Sequence, residues 1–83
     1  MANAVTTMPG SEAILSGDQV LTIAQADAQK AYGDLAKFRI HLVLEIDGWH
    51  VDYELKDPRH KGGGPHYVID AVSGAILSKR YEQ

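Results

Sequence analysis

A chain of 83 residues, 45% hydrophobic and 23% charged, has the length for one domain with a modest core burying roughly 60% of its unfolded surface, and too much apolar content for wholesale disorder. A formal net charge of −3 argues against a general phosphate-backbone binder, which needs a concentrated basic face, and no apolar run approaches the ~20 residues of a spanning helix. The absence of cysteine excludes a disulfide staple, a thiolate metal site and a cysteine nucleophile.

From Met1 to about Ser11 the chain is small and polar with Pro9-Gly10, the composition of a tail, and it lacks the basic start and apolar core of a secretory signal. A soluble domain is expected over residues 12–83. Ser16 can cap a helix while Gln19, three residues on, completes a capping box and Leu15 staples onto Val20. On a 3.6-residue period Val20, Leu21, Ala24, Ala28, Ala31, Tyr32 and Leu35 fall on one side, with Thr22, Gln25, Gln29 and Lys30 on the other. Alanine in the middle of that stripe lets the helix lie close to a sheet, and Gly33 supplies a left-handed stop.

The next stretch, Phe38 to Lys56, alternates as a hairpin. With Asp47-Gly48 as a two-residue tip, Ile46 faces Trp49, Leu44 faces Val51, Leu42 faces Tyr53 and Ile40 faces Leu55, all on one apolar side. The other side receives Glu45 against His50, Val43 against Asp52, His41 against Glu54 and Arg39 against Lys56. Asp57 to Pro65, with two prolines and three glycines, reads as a loop. His66 to Ala71 and Ala75 to Tyr81 form a second hairpin around Val72-Ser73-Gly74, with Ile69 opposite Leu77 and with Tyr67, Ile69, Ala71, Leu77 and Tyr81 buried. Val68, Asp70, Ile76 and Arg80 are left on the opposite side. One N-terminal helix packed on a four-stranded antiparallel meander sheet, an α+β fold, follows from this order.

Few residues point to chemistry. His41, His50, His60 and His66 are of a type that binds zinc, but their spacing fits no ligand pattern, and cross-strand acid-histidine pairs on a solvated face account for them. Neither Ser73 nor Ser78 is placed beside a histidine by any spacing, and the carboxylates have no apolar pocket to raise a pKa. The triplet Gly62-Gly63-Gly64 lacks the following Lys-Ser/Thr and the strand-loop-helix setting of a phosphate loop. No catalytic residue, metal or cofactor is therefore expected, and neither nucleic-acid binding nor membrane insertion.

A partner surface is the remaining expectation. The sheet face away from the helix carries His41, Val43, Glu45, His50, Asp52, Glu54, Val68 and Ile76, with the basic loop residues Arg59, His60 and Lys61 at its border. Val43, Val68 and Ile76 are apolar where a solvated face requires none, and interfaces set a small apolar centre inside a polar rim. Either the N-terminal segment, through Ile14 or Met8, covers them, or another molecule does. A homodimer stacking two such faces belongs to the second case, with the Glu45-His50 and His41-Glu54 pairs making it sensitive to histidine protonation.

The string YVIDAVSGAIL, Tyr67 to Leu77, resembles the closing hairpin of PepSY domains: an apolar strand, Asp-Ala, a Ser/Thr-Gly turn and a second apolar strand. VLTIAQADAQKAYG, Val20 to Gly33, resembles that family's alanine-rich helix, and WHVDYELK, Trp49 to Lys56, its middle strand. The likeness runs from about Ser16 to Tyr81. It implies cystatin-like packing and a non-catalytic module, often outside the cytoplasm in the periplasm or secreted, associated with inhibiting a peptidase or modulating a neighbour. The chain is also similar to the small immunity proteins of the nuclear-transport-factor-2-like fold, which neutralise bacterial toxins. GGGPHY, Gly62 to Tyr67, departs from the PepSY pattern towards that group.

Overall fold

The capping residues start the helix where their spacing places it. In the computed structural model, which describes residues 13–57, 59 and 63–82, α1 runs Gly17–Tyr32. The Gln19 N–H donates to Ser16 Oγ at 3.2 Å, and the Ser16 N–H donates to Gln19 Oε1 at 2.8 Å, which satisfies two of the donors a helix start leaves open. At the other end Gly33 has φ 76 and its N–H donates to Gln29 O at 2.8 Å. No helix among the described residues is long and apolar enough to cross a membrane. The expected tail, and His60, Lys61 and Gly62 of the loop, lie outside the described residues.

Four strands follow, β1 Phe38–Glu45, β2 Gly48–Leu55, β3 Pro65–Ile69 and β4 Ile76–Tyr81. They form one antiparallel sheet in chain order. The fold is thus the α+β arrangement of one N-terminal helix on a four-stranded antiparallel sheet. Val20, Ala24 and Ala28 press the helix onto β2 and β3, where Val51, Tyr53, Tyr67 and Ile69 meet them, with Phe38 of β1 completing the core. Rings step edge to face through it: Tyr32 to Phe38 at 5.7 Å, Phe38 to Tyr53 at 6.1 Å and Tyr53 to Tyr67 at 6.3 Å between centroids. Such pairs contribute about 0.5–1.5 kcal/mol each beyond the area they bury.

The register of the first hairpin differs from the expected one. Leu44 pairs with Trp49, Leu42 with Val51, Ile40 with Tyr53 and Phe38 with Leu55, so the tip is Ile46-Asp47 and Ile46 is fully exposed at 105%. Gly48 explains the change. It lies in β2 with φ 134, and a Cβ there would stand 2.5 Å from the Ile69 carbonyl oxygen of β3, so its small size serves the close approach of the next strand and not the tip of the turn. Every partner moves by two residues, which preserves which side each residue faces while changing every pair. The expected Glu45-His50 and His41-Glu54 pairs are replaced: His41 lies opposite Asp52, Arg39 opposite Glu54 and Val43 opposite His50.

The second hairpin contains a bulge. Val68 pairs with Ser78 but Ile69 with Ile76, leaving Leu77 as the extra residue, and Ile69 does not face Leu77 as an unbroken ladder would require. The turn is built by Asp70, whose Oδ2 accepts from the N–H groups of Val72 at 3.0 Å and Ser73 at 2.7 Å. Leu77 and Tyr81 remain 56% and 42% exposed, and Ala71 is half-buried, because a single helix lying over β2 and β3 does not cover the sheet's margins, which it touches only through side chains such as Asp27 and Tyr32. The same geometry leaves Ile40 and Leu44 of β1 exposed and exposes Ala31 on the helix, while Ile23, outside the expected stripe, packs against the core. Trp49 is half-buried at the helix start, its Nε1–H donating to Leu15 O at 3.0 Å.

Candidate functional site

Two rows of side chains cross the sheet face that the helix leaves open. Register aligns His41, Asp52, His66 and Arg80 in one row, and Val43, His50, Val68 and Ser78 in the next. Between them lies a groove of about 280 Å³ lined by His50, Asp52, His66, Val68, Ser78 and Arg80, with Tyr67 beneath.

The groove's most constrained group is His66. Its Nδ1 lies 2.7 Å from Asp52 Oδ1, and its Nε2, shut off from solvent, stands 3.3 Å from Glu82 Oε2 without the alignment of a hydrogen bond. Glu82 is in turn fixed from two sides. Its carbonyl accepts from the Tyr32 hydroxyl of α1 at 2.6 Å, and its carboxylate meets Arg80 Nη2 at 3.2 Å. Both ring nitrogens of His66 therefore face carboxylates, on β2 and just past β4, with a hydrogen bond to Asp52 alone. At the tip His50 Nε2 lies 2.7 Å from Asp47 Oδ1, and this bond holds the Asp47 carboxyl below the usual carboxylate range.

A second polar cluster sits on the helix side. Asp27 of α1 accepts from the hydroxyls of Tyr67 at 2.8 Å and Tyr81 at 2.6 Å and from Lys79 Nζ at 3.1 Å. The Tyr81 hydroxyl above all holds the Asp27 carboxyl below its ordinary value, against the opposing effect of burial, with Tyr67 and Lys79 adding to it. Burial, and then the Asp27 carboxylate, push the Tyr67 hydroxyl up. The cluster pins the exposed edge strand β4 to the helix.

Of the candidates read from the sequence, His50, Asp52 and Val68 meet in the groove, and His41 and Val43 stand next to it by register. Glu45 ends β1 and Glu54 Oε1 pairs with Arg39 Nε at 3.3 Å. Ile76, expected on the open face, pairs instead with Ile69 of the helix-side core, because the bulge at Leu77 shifts its parity, and it lies outside the groove lining. Arg59 is engaged within its own loop by Asp57, Nε to Oδ1 at 3.1 Å and Nη2 to Oδ2 at 3.0 Å. His60 and Lys61 lie outside the described residues. His66, Ser78, Arg80 and Glu82 were not among the candidates. Alternation from Val68 back to His66, and from Arg80 back to Ser78, is the signal that points to three of them. Among the described residues no group of three His, Asp or Glu side chains is placed to hold a metal ion. Comparison with known proteins finds no matching family model, no matching curated protein and no matching solved structure.

Proposed function

We propose that this chain is a non-catalytic protein-binding module of inhibitory or regulatory type whose partner docks on the open sheet face. The observation that carries the reading is the groove itself: Val68, with Val43 beside it by register, inside a rim of His41, His50, Asp52, His66 and Arg80. An apolar centre within a charged rim is the pattern of a protein interface. Ser78 shares the groove with His66 and Asp52, but His66 turns its ring nitrogens to Asp52 and Glu82, an arrangement suited to holding strands in place rather than activating a hydroxyl. A helix on a four-stranded meander also agrees with the cystatin-like packing that the PepSY resemblance implies, and on that likeness the partner is a peptidase.

The test immobilises the full chain and its Val68→Lys and Ile76→Lys variants and passes lysate and culture fluid of the source organism over each. A peptidase retained by the parent and by Ile76→Lys, whose site lies outside the groove, and lost by Val68→Lys supports the reading. A toxin retained in the same way reassigns the module to immunity. Equal retention by parent and Val68→Lys variant removes the groove as the docking site, and turnover of a small substrate by the purified parent overturns the non-catalytic assignment.

A further inference from the structure

Among the described residues the outer edge of β1 is unpaired, and the strand's sequence is complementary to itself. β1 is the first strand of the sheet and, among the described residues, pairs only with β2. The Lys56 N–H donates to Lys37 O at 3.0 Å. Bonded and non-bonded pairs alternate along an antiparallel ladder, so Arg39, His41, Val43 and Glu45 turn their backbone groups towards β2, while Ile40, Leu42 and Leu44 turn theirs outward. Phe38 is not available in the same way, because its N–H already donates to Leu35 O at 3.0 Å.

We propose that β1 pairs antiparallel with β1 of a second copy of this chain about a two-fold axis at Leu42, joining two sheets into one. In that register Leu42 meets itself once on the axis, while Ile40 meets the second copy's Leu44 and Arg39 meets the second copy's Glu45, each of these two contacts occurring twice by symmetry. It engages all three outward-facing residues of each strand in about six backbone hydrogen bonds and requires neither Phe38 nor the turn. A shift of register in one direction calls on the engaged Phe38 N–H, and in the other on Ile46 of the tip. The side chains agree with the backbone. Ile40 and Leu44, 44% and 45% exposed, cover one another on the helix side, and on the open side the charges of Arg39 and Glu45 are opposite and adjacent across a non-bonded pair, where side chains come closest.

The opposite edge is built differently. β4 carries a bulge and the adjacent cations Lys79 and Arg80, which are held by Asp27 and Glu82, the devices that keep an edge strand from pairing. β1 has no bulge, proline or lysine along its length. The groove lining includes neither Arg39 nor Glu45, so dimerisation tested at those two positions is separable from partner capture tested at Val68.

The test is sedimentation equilibrium of the full chain over a concentration series extending to hundreds of micromolar, with circular dichroism and melting curves showing that each variant is folded. The parent is expected to dimerise. Arg39→Glu alone and Glu45→Arg alone each set two like-charge pairs across the axis and raise the dissociation constant by about tenfold or more. An equimolar mixture of the two variants restores the dimer, because each mixed pair sets the introduced acid against the introduced base on one side of the axis and the native Arg39 against the native Glu45 on the other. The Arg39→Glu/Glu45→Arg double variant likewise pairs with itself. A parent that is monomeric throughout, a single variant that dimerises as tightly as the parent, or a mixture no more dimeric than its components overturns the proposal. Loss of capture by Val68→Lys with the dimer intact, and loss of the dimer by Arg39→Glu with capture intact, tell the two surfaces apart, whereas a dimer lost on Val68→Lys overturns the β1 contact.

Discussion

Replacing Asp27 by alanine tests whether the helix is anchored to the sheet margin through one carboxylate. The side chain is 20% exposed and accepts from Tyr67, Tyr81 and Lys79. Tyr67 is 2% exposed, so its hydroxyl would be left buried without this acceptor, which costs about 1–3 kcal/mol. Tyr81 is 42% exposed and can turn to water, so its bond adds about 1 kcal/mol, and the half-exposed Lys79 pair adds little. Alanine returns about 0.5 kcal/mol of helix propensity. The net loss is about 2–3 kcal/mol, which lowers the melting midpoint of a domain this size by about 10–20 °C. The difference also depends on pH. A carboxyl held below its ordinary value contributes stability that is complete above its unfolded value, about 3.9, and is lost as pH falls through the depressed native value. Thermal melts followed by circular dichroism at neutral pH and in a descending acid series measure both effects. A neutral-pH melt unchanged within about 2 °C, or a parent-variant gap that stays constant into strong acid, would refute this account of the anchor.

Two further substitutions separate core burial from backbone fit. Trp49→Ala should cost about 3 kcal/mol, the lower end of the range for large aromatics because the ring is only half-buried, while Trp49→Phe should cost about 1 kcal/mol for the bond to Leu15. Urea denaturation measures both, and equal losses would show that the ring's area matters less than its N–H. Gly48→Ala should exceed Gly33→Ala in cost by about 1 kcal/mol or more, since an added Cβ meets the Ile69 carbonyl at 2.5 Å in one case and nothing within 4 Å in the other. The same denaturation series decides it, and the opposite order would remove the close approach of β3 as the reason for glycine at position 48.

Interactions that close within a few residues were legible in the chain. Ser16 and Gln19 are three positions apart and cap α1 as their types require, Gly33 stops it, and period-two alternation assigned Leu42, Val51, Tyr53, Tyr67 and Ile69 to the helix side and Val43, His50, Asp52 and Val68 to the open one. Pair identity was not legible, because a shift of two residues leaves every side chain on the same face; only the approach of Ile69 to Gly48 chooses the observed register. The bulge that leaves Leu77 over has no local signature either. Burial at the margins depended on a width that no pattern encodes: one helix covers two strands, and Ile40, Leu44, Leu77 and Tyr81 stay out. The candidate site divides along the same line. Parity gathered His50, Asp52 and Val68 on one face, whereas the clamp of His66 between Asp52 and Glu82, and the convergence of Tyr67, Lys79 and Tyr81 on Asp27, join residues from different elements. Such contacts depend on how strands stack side by side and on where the helix lies, and those are settled by packing the whole chain rather than by any stretch of it.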